Sequence, residues 1–257
     1  MTVTLKWHTP LNICSDAIRT CWQSQEKSDT NEMIKNAVWL VTEDITIEDF
    51  KAKWGYNPFK ERTPECGPKD KALIDRVGNQ NKHSSTLEHI TYNFKIEGIS
   101  RALLQELARH RLASLSVKST RYTLKELKEE LSFYTPLSPV FNAKKDKGSP
   151  WHFERASKYL VLTGVDMVDE MSIYALENLR LVLLEGISND KAKYCLPESY
   201  KTELAWSINA RSLQNFLALR TSKAALWEIR DLANTIYDIL PDDHKYLFEA
   251  CLYKEGQ

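Results

Sequence analysis

Apolar residues recur along this chain with two periods, and the switches between them outline the elements. Residues 2–9 alternate and predict a first strand. Residues 11–24 read as a helix, and 31–41 as another, with Met33, Ile34, Ala37, Val38 and Val41 on one face. From 42 to 82 charge is dense, and Pro58, Pro64, Gly67, Pro68 and Gly78 interrupt the pattern. That composition predicts an insertion made of short helical pieces, suited to act as a lid. The clearest strand follows at 89–97, where Ile90, Tyr92, Phe94 and Ile96 alternate with polar neighbours and Gly98 stops the run. A helix opens near Ser100 through RALLQELARHR, with Leu103, Leu104, Leu107 and Ala108 as its buried stripe.

Beyond it the pattern weakens. The serine-rich stretch 114–119 reads as a loop. Thr123 and Glu126 have the spacing of a capping box, which predicts a helix through Leu131. Residues 138–150 read as a surface connection. Residues 153–185 are helical, with a break at Gly164 and a stop at Gly186, and 203–240 are helical again up to Pro241. The fold class these elements predict is α+β: a small, mostly antiparallel sheet flanked by long helices. They fit one domain over 1–257 with an insertion at 42–82.

Composition narrows the partners. The 257 residues carry 35 basic and 35 acidic side chains, so no net field favours nucleic acid or an anionic membrane surface. No apolar run approaches the ~20 residues a membrane span needs. The opening MTVTLKWHTPLN has no signal-like core, which predicts a cytoplasmic protein. Five scattered cysteines with no CxxC pair point to reduced thiols and to no metal site. Cys195, before Leu-Pro, is expected to be buried. The seven tryptophans are expected mostly in the core. His8, His152 and His244 have no sequence neighbours of matching chemistry and are expected at the surface.

The densest chemistry lies in RHRLASLSVKSTRY, 109–122. Arg109, His110, Arg111, Lys118 and Arg121 share it with Ser114, Ser116, Ser119 and Thr120. Guanidinium forks and hydroxyls are what proteins use to hold phosphate esters. A solvated basic helix end also carries such charges, but not with these hydroxyls and a following Arg121-Tyr122. A second block, HSSTLEHITYNFKI at 83–96, leads into the clearest strand. There Glu88 and His89 fit either a role in a site or a network at the start of the strand. A third, INARSLQNFLALR at 208–220, places Arg211 and Asn215 on one helical face and Asn209 and Arg220 nearly opposite. Either Asn209 caps the helix, or two faces serve two sites.

Arg109-His110-Arg111, seven residues, then Ser119 resembles the signature of the flavin-dependent thymidylate synthases. The segment ISRALLQEL before it, the blocks at 83–96 and 208–220, ALWEIR after Arg220 and IRTCW at 18–22 are similar to that family and fall in its order.

The resemblance implies an enzyme that converts dUMP to dTMP with FAD, taking carbon from 5,10-methylenetetrahydrofolate and reducing equivalents from NADPH. It implies no cysteine nucleophile, and a homotetramer whose sites draw on several subunits. It places Glu106, Leu107, Ala108, Arg109, Val117, Lys118, Ser119, Thr120, Arg121, Lys193 and Arg220 at dUMP, with Arg220 facing the uracil ring as the catalytic residue. It places Ser85, Arg109, His110, Arg111, Val117, Asn209, Ala210, Arg211 and Asn215 at FAD, and His83 near the flavin ring and folate. Cys21, in the IRTCW block, falls near FAD. Two positions depart from the family. Leu115-Ser116-Val117 stands where Tyr-Ser-Gln or Tyr-Asn-Glu is common, so Val117 offers only apolar or main-chain contact. Lys193 replaces an arginine and keeps the charge without the bidentate fork. An inactive helical interaction protein descended from such enzymes is disfavoured, because Ser119 and Arg220 are both present.

Overall fold

The computed structural model describes residues 1–41, 45–59, 64–134 and 151–254, with side chains described outside 39–41. The expected connection at 138–150 lies outside the described residues. The chain packs as two compact units, one of 1–2, 95–109 and 115–205, the other of 3–94, 110–114 and 206–257.

A four-stranded antiparallel sheet has the order β1-β2-β4-β3, formed by β1 (Thr2–His8), β2 (Thr91–Ser100), β3 (Ala113–Val117) and β4 (Lys201–Asn209). The small antiparallel sheet and the helices around it agree with the predicted α+β class. In β2, Tyr92, Phe94 and Ile96 are buried while Thr91, Asn93 and Lys95 are half-buried, which is the alternation the sequence announced. The strand does not stop at Gly98. That glycine takes φ +73° and β2 continues to Ser100.

Three other expectations are corrected. The serine-rich stretch 114–119 is mostly strand: Ala113, Leu115 and Val117 alternate with Ser114 and Ser116, and hydroxyls on one face do not prevent pairing. The helix predicted over 203–240 begins as β4, where Thr202, Leu204, Trp206 and Ile208 are buried at period two. The capping box at Thr123 does not form. Thr123 makes no cap bond; its hydroxyl donates to the Ser119 carbonyl within the turn α6 (Thr120–Thr123), and a 3₁₀ turn, Leu124–Lys128, follows.

In the second unit α1 (Leu11–Cys21), α2 (Asp29–Val41), α3 (Ile47–Trp54) and α4 (Pro68–Ile74) precede a π-helical turn, Asp75–Gln80, and a 3₁₀ turn, Ser84–His89. The short helical pieces predicted for 42–82 are therefore present among its described residues. Their anchor is Asp70, which is fully buried. It accepts from Arg19 Nε at 2.6 Å, Ser28 Oγ at 2.7 Å and Thr30 Oγ1 at 2.5 Å. These donors, the guanidinium among them, hold its carboxyl below the usual range against the opposing effect of burial. Asp29 accepts from the Lys69 and Asp70 amides at 2.7 and 3.0 Å and caps α4 from outside. Gly67 makes room for it, because a Cβ there would lie 2.5 Å from the Asp29 carboxylate.

In the first unit, α5 (Arg101–Leu107) is capped by Ser100, whose Oγ accepts from the Leu103 amide at 2.9 Å. The helix predicted over 153–185 is two helices, α7 (Trp151–Ala156) and α8 (Asp166–Leu184). Between them Leu160 bridges to Tyr200 and Gly164 lies just before α8, near the expected break, while Gly186 follows the end of α8 with the left-handed φ of a helix stop. Leu124, Leu127, Phe133, Leu160, Ile173, Leu176, Leu179 and Leu183 form this unit's core, next to the short turn α9 (Asn189–Ala192). The chain ends through α10 (Ala210–Arg220), α11 (Trp227–Asp238) and α12 (Asp242–Lys245) in the second unit. No helix among the described residues is long and apolar enough to cross a membrane.

Asp70→Ala leaves the buried Arg19 guanidinium unpaired and is expected to cost about 3–5 kcal/mol, read as a lower urea midpoint. A midpoint unchanged from wild type would mean that this network does not hold the α1–α4 segment together.

Candidate functional site

The signature begins where α5 runs out. Leu107 is fully buried, so only its main chain is available to a ligand. Ala108 and Arg109 are exposed, and Arg109 makes a loose contact with Glu106 at 3.4 Å. His110 turns inward: it is buried, and its ring meets Phe216 edge-on with centroids 5.0 Å apart. Its Nε2 accepts from Arg220 Nε at 3.0 Å, which places the proton of a neutral ring on Nδ1. Arg111 points to solvent.

Beyond β3, Val117, Lys118, Ser119 and Arg121 are exposed and Thr120 is buried. Lys118 donates its amide to the Glu203 carbonyl at 2.9 Å. Arg121 Nε lies 2.8 Å from Asp190, a pair open to solvent and therefore weakly held. Lys193 opens the turn after α9 and is half-buried. Lys118 and Thr120 line a cavity of about 90 Å³ with Lys158 and Lys201. Burial lowers the Lys201 pKa, and its Nζ donates to the Ser157 carbonyl.

His83 and Ser85 are exposed and line a larger cavity of about 750 Å³ in the second unit. Lys27 and Arg76 add charge to its wall, and Trp22, Leu73 and Val77 add apolar surface. The segment expected to act as a lid thus supplies one side of this cavity, through Leu73, Arg76, Val77 and Asn81. The sequence reading missed Lys27 and Arg76. Cys21, which the resemblance puts near FAD, lines this cavity together with Trp22 of the same IRTCW block.

Asn209 is the N-cap of α10: its Oδ1 accepts from the Ser212 amide at 2.8 Å. Ala210 is fully buried and gives its amide to the Ile90 carbonyl at 2.8 Å. Arg211 and Asn215 are exposed, and Arg211 donates to Glu88 at 2.7 Å. Arg220, the last residue of α10, is half-buried. The dUMP set lies in the first unit except for Arg220. The FAD set lies in the second except for Arg109 and Val117.

Several lone residues differ from expectation. Cys195 is exposed. Trp7, Trp22 and Trp227 are exposed, whereas Trp54 and Trp206 are core. His152 pairs with Glu170 at 2.9 Å. His8 and His244 both reach Glu65, and His244 is fully buried. A residue 57 or 179 positions away in sequence gives no local signal of such a partner.

Asn209→Ala removes the cap and is expected to cost about 1 kcal/mol, with Asn209→Asp close to wild type in urea unfolding. Equal losses in both variants would show that the Asn209 side chain matters here for something other than capping.

The family model for thymidylate synthase complementing protein matches residues 2–244. A flavin-dependent thymidylate synthase from Wolinella succinogenes is 56% identical over 256 residues, covering 100% of both chains. One from Campylobacter jejuni is 52% identical over 255 residues, covering 99% of each. Two solved structures of the Helicobacter pylori thymidylate synthase X with FAD and dUMP are similar as well. The first is 49% identical with TM-score 0.75, covering 99% of this chain and 100% of that one. The second is 51% identical with TM-score 0.76, covering 98% and 100%. The chain therefore belongs to the thymidylate synthase complementing protein family, the flavin-dependent thymidylate synthases.

Proposed function

We propose that this chain methylates dUMP at C5 with carbon from 5,10-methylenetetrahydrofolate and reducing equivalents from NADPH passed through FAD, without a cysteine nucleophile. The observation that carries the reading is the junction of the signature with the third block: His110 of Arg-His-Arg is bonded to Arg220 at the end of α10. In this reading Arg220 lies beside the uracil ring. Its planar, permanently charged guanidinium stabilises negative charge on the ring carbonyl and N3, which raises electron density at C5. His110 holds the Nε edge of the guanidinium. Glu106, Leu107, Ala108, Arg109, Val117, Lys118, Ser119, Thr120, Arg121 and Lys193 complete the nucleotide site. The cations and hydroxyls among them suit its phosphate and sugar.

The second unit's residues fit FAD by their chemistry. A cavity of about 750 Å³ is large enough for much of such a group, and combines cations, hydroxyls and apolar wall. Of the residues that the resemblance gives to FAD, Ser85 lines this cavity, with His83 toward the flavin ring or folate, whereas Arg109, His110, Arg111, Val117, Asn209, Ala210, Arg211 and Asn215 are not on its wall and would hold other parts of the group. Asn209 commits one lone pair of its oxygen to the cap, so its Nδ2 donors and the second lone pair are what it can offer a ligand. Bound FAD supplies two-electron hydride chemistry that no side chain can. Three of the five thiols are poorly suited to attack, while Cys21 and Cys195 are exposed. Burial raises Cys14 and Cys66 to about 12 and also raises Cys251, which suppresses their thiolates.

Assembly as a homotetramer with shared sites belongs to the same reading. The exposed apolar row Met167, Met171, Tyr174, Leu181 and Leu184 on α8 offers surface for it.

Arg220→Ala is expected to cut dTMP turnover by ~10²-fold or more while the protein stays folded and yellow. Near-normal turnover would remove Arg220 from the mechanism. Cys21→Ala and Cys195→Ala are each expected to keep making dTMP. A nucleotide trapped covalently on any cysteine would overturn the thiol-free route.

A further inference from the structure

Three side chains from distant parts of the chain converge in the second unit. They are His8 at the end of β1, Glu65 just before α4 and His244 in α12. One ligand atom from each lies within 4.8 Å of the others. Glu65 Oε1 is 2.6 Å from His8 Nε2, and Oε2 is 2.5 Å from His244 Nε2. The two imidazole rings stand edge to face with centroids 4.9 Å apart. Behind them, His244 Nδ1 lies 2.7 Å from the hydroxyl of the fully buried Tyr92. The Leu11 amide donates to Glu65 Oε2 at 3.1 Å and fixes the carboxylate plane.

We propose that His8, Glu65 and His244 form a binding site for one divalent cation of the zinc class, with water as the fourth ligand. Two imidazole nitrogens and a carboxylate are a donor set that zinc, cobalt(II) and nickel(II) accept. Calcium and magnesium want oxygen throughout and are poorly served. The Tyr92 hydroxyl supplies an outer partner. When Nδ1–H of His244 donates to it, the Nε2 lone pair faces the ion.

Without an ion, protons hold the same three groups together, which is why the N···O gaps have hydrogen-bond lengths. Ligands bonded at about 2.0 Å in a tetrahedron sit roughly 3.3 Å apart, so uptake opens the gap between the Glu65 oxygen that binds and its own histidine by roughly 0.7 Å. The proton on each Nε2 moves to Nδ1 or leaves to water. His8 can make this adjustment, because it ends the edge strand of the sheet. Access comes from the same side: the His8 and Glu65 side chains retain 18% and 10% of their exposure, whereas His244 has none. One Glu65 charge against a dication leaves the loaded site with a single positive charge, open to solvent at that edge.

Loading would also stiffen the wall of the larger cavity. Glu65 lies next to Cys66 and Gly67, which lead into α4, and the chain then runs to Leu73, Arg76 and Val77 on that wall.

The test uses the purified full-length chain, stripped with chelator and dialysed against zinc, followed by elemental analysis and thermal unfolding. Cobalt(II) absorption reports the ligands. About one zinc per chain is expected, with a raised unfolding midpoint and a tetrahedral cobalt spectrum free of thiolate charge transfer. His8→Gln, altered at an accessible edge, should bind at least ~10-fold more weakly, and Glu65→Gln likewise. If Glu65→Gln fails to fold, His8→Gln alone decides. No retained zinc, equal retention by His8→Gln and wild type, or a thiolate–cobalt band would each overturn the assignment.

Discussion

The junction at Asn209 governs where the chemistry of the second unit can lie. There strand β4 becomes helix α10 without an intervening loop. The Asn209 side chain caps the helix through Ser212, and the Ala210 amide is committed to the carbonyl of Ile90, the residue before β2. These two bonds fix the direction in which α10 leaves the sheet. Everything farther along follows from that direction: Leu213, Phe216 and Leu217 enter the core, while Arg211 and Asn215 face outward. Arg220 arrives at the far end, 3.0 Å from His110. The edge-on contact of His110 with Phe216 ties the signature to the same helix. Misplacing α10 would displace the capping asparagine, the outward face and the terminal arginine together.

Much of this was legible in the sequence because it is local. The alternation in 89–97, the serine before RALLQEL and the spacing of Asn209, Arg211, Asn215 and Arg220 report neighbours within a few residues. β4 was equally local, since Thr202, Leu204, Trp206 and Ile208 keep a strict period of two. A long helical reading through Arg220 and beyond absorbed it. β3 was obscured because two of its five residues are serines, which weaken the apolar signal without removing the alternation. The capping box failed for a different reason. The spacing of Thr123 and Glu126 permits a cap, but the Thr123 hydroxyl is spent on the Ser119 carbonyl inside its own turn.

What the sequence concealed depends on long-range closure. His8, Glu65 and His244 have no pattern in common, and their convergence needs β1, the segment before α4 and α12 all in place. Glu65 is held low, near 2, by donors from both histidines and the Leu11 amide against the upward effect of burial. Its stabilising contribution is therefore present above about 4.5, its unfolded value, and is lost as pH falls toward 2. Arg19 and Asp70 close the same unit 51 residues apart. The segment 42–82 looked like an insertion because its charges and prolines break every local period. Among its described residues, Phe50, Trp54 and Tyr56 pack with Met33; Glu65 and Asp70 tie the start of α4 to the rest of the unit; and Leu73, Arg76, Val77 and Asn81 line the larger cavity.

Synthesis of dTMP by flavin chemistry is tested most directly by the visible spectrum of the purified protein, followed by addition of dUMP, NADPH and methylenetetrahydrofolate with quantification of both products. A flavin spectrum that bleaches with NADPH, and dTMP formed together with tetrahydrofolate, is the predicted result. A colourless protein that FAD does not reconstitute, or dTMP accompanied by dihydrofolate, would contradict it.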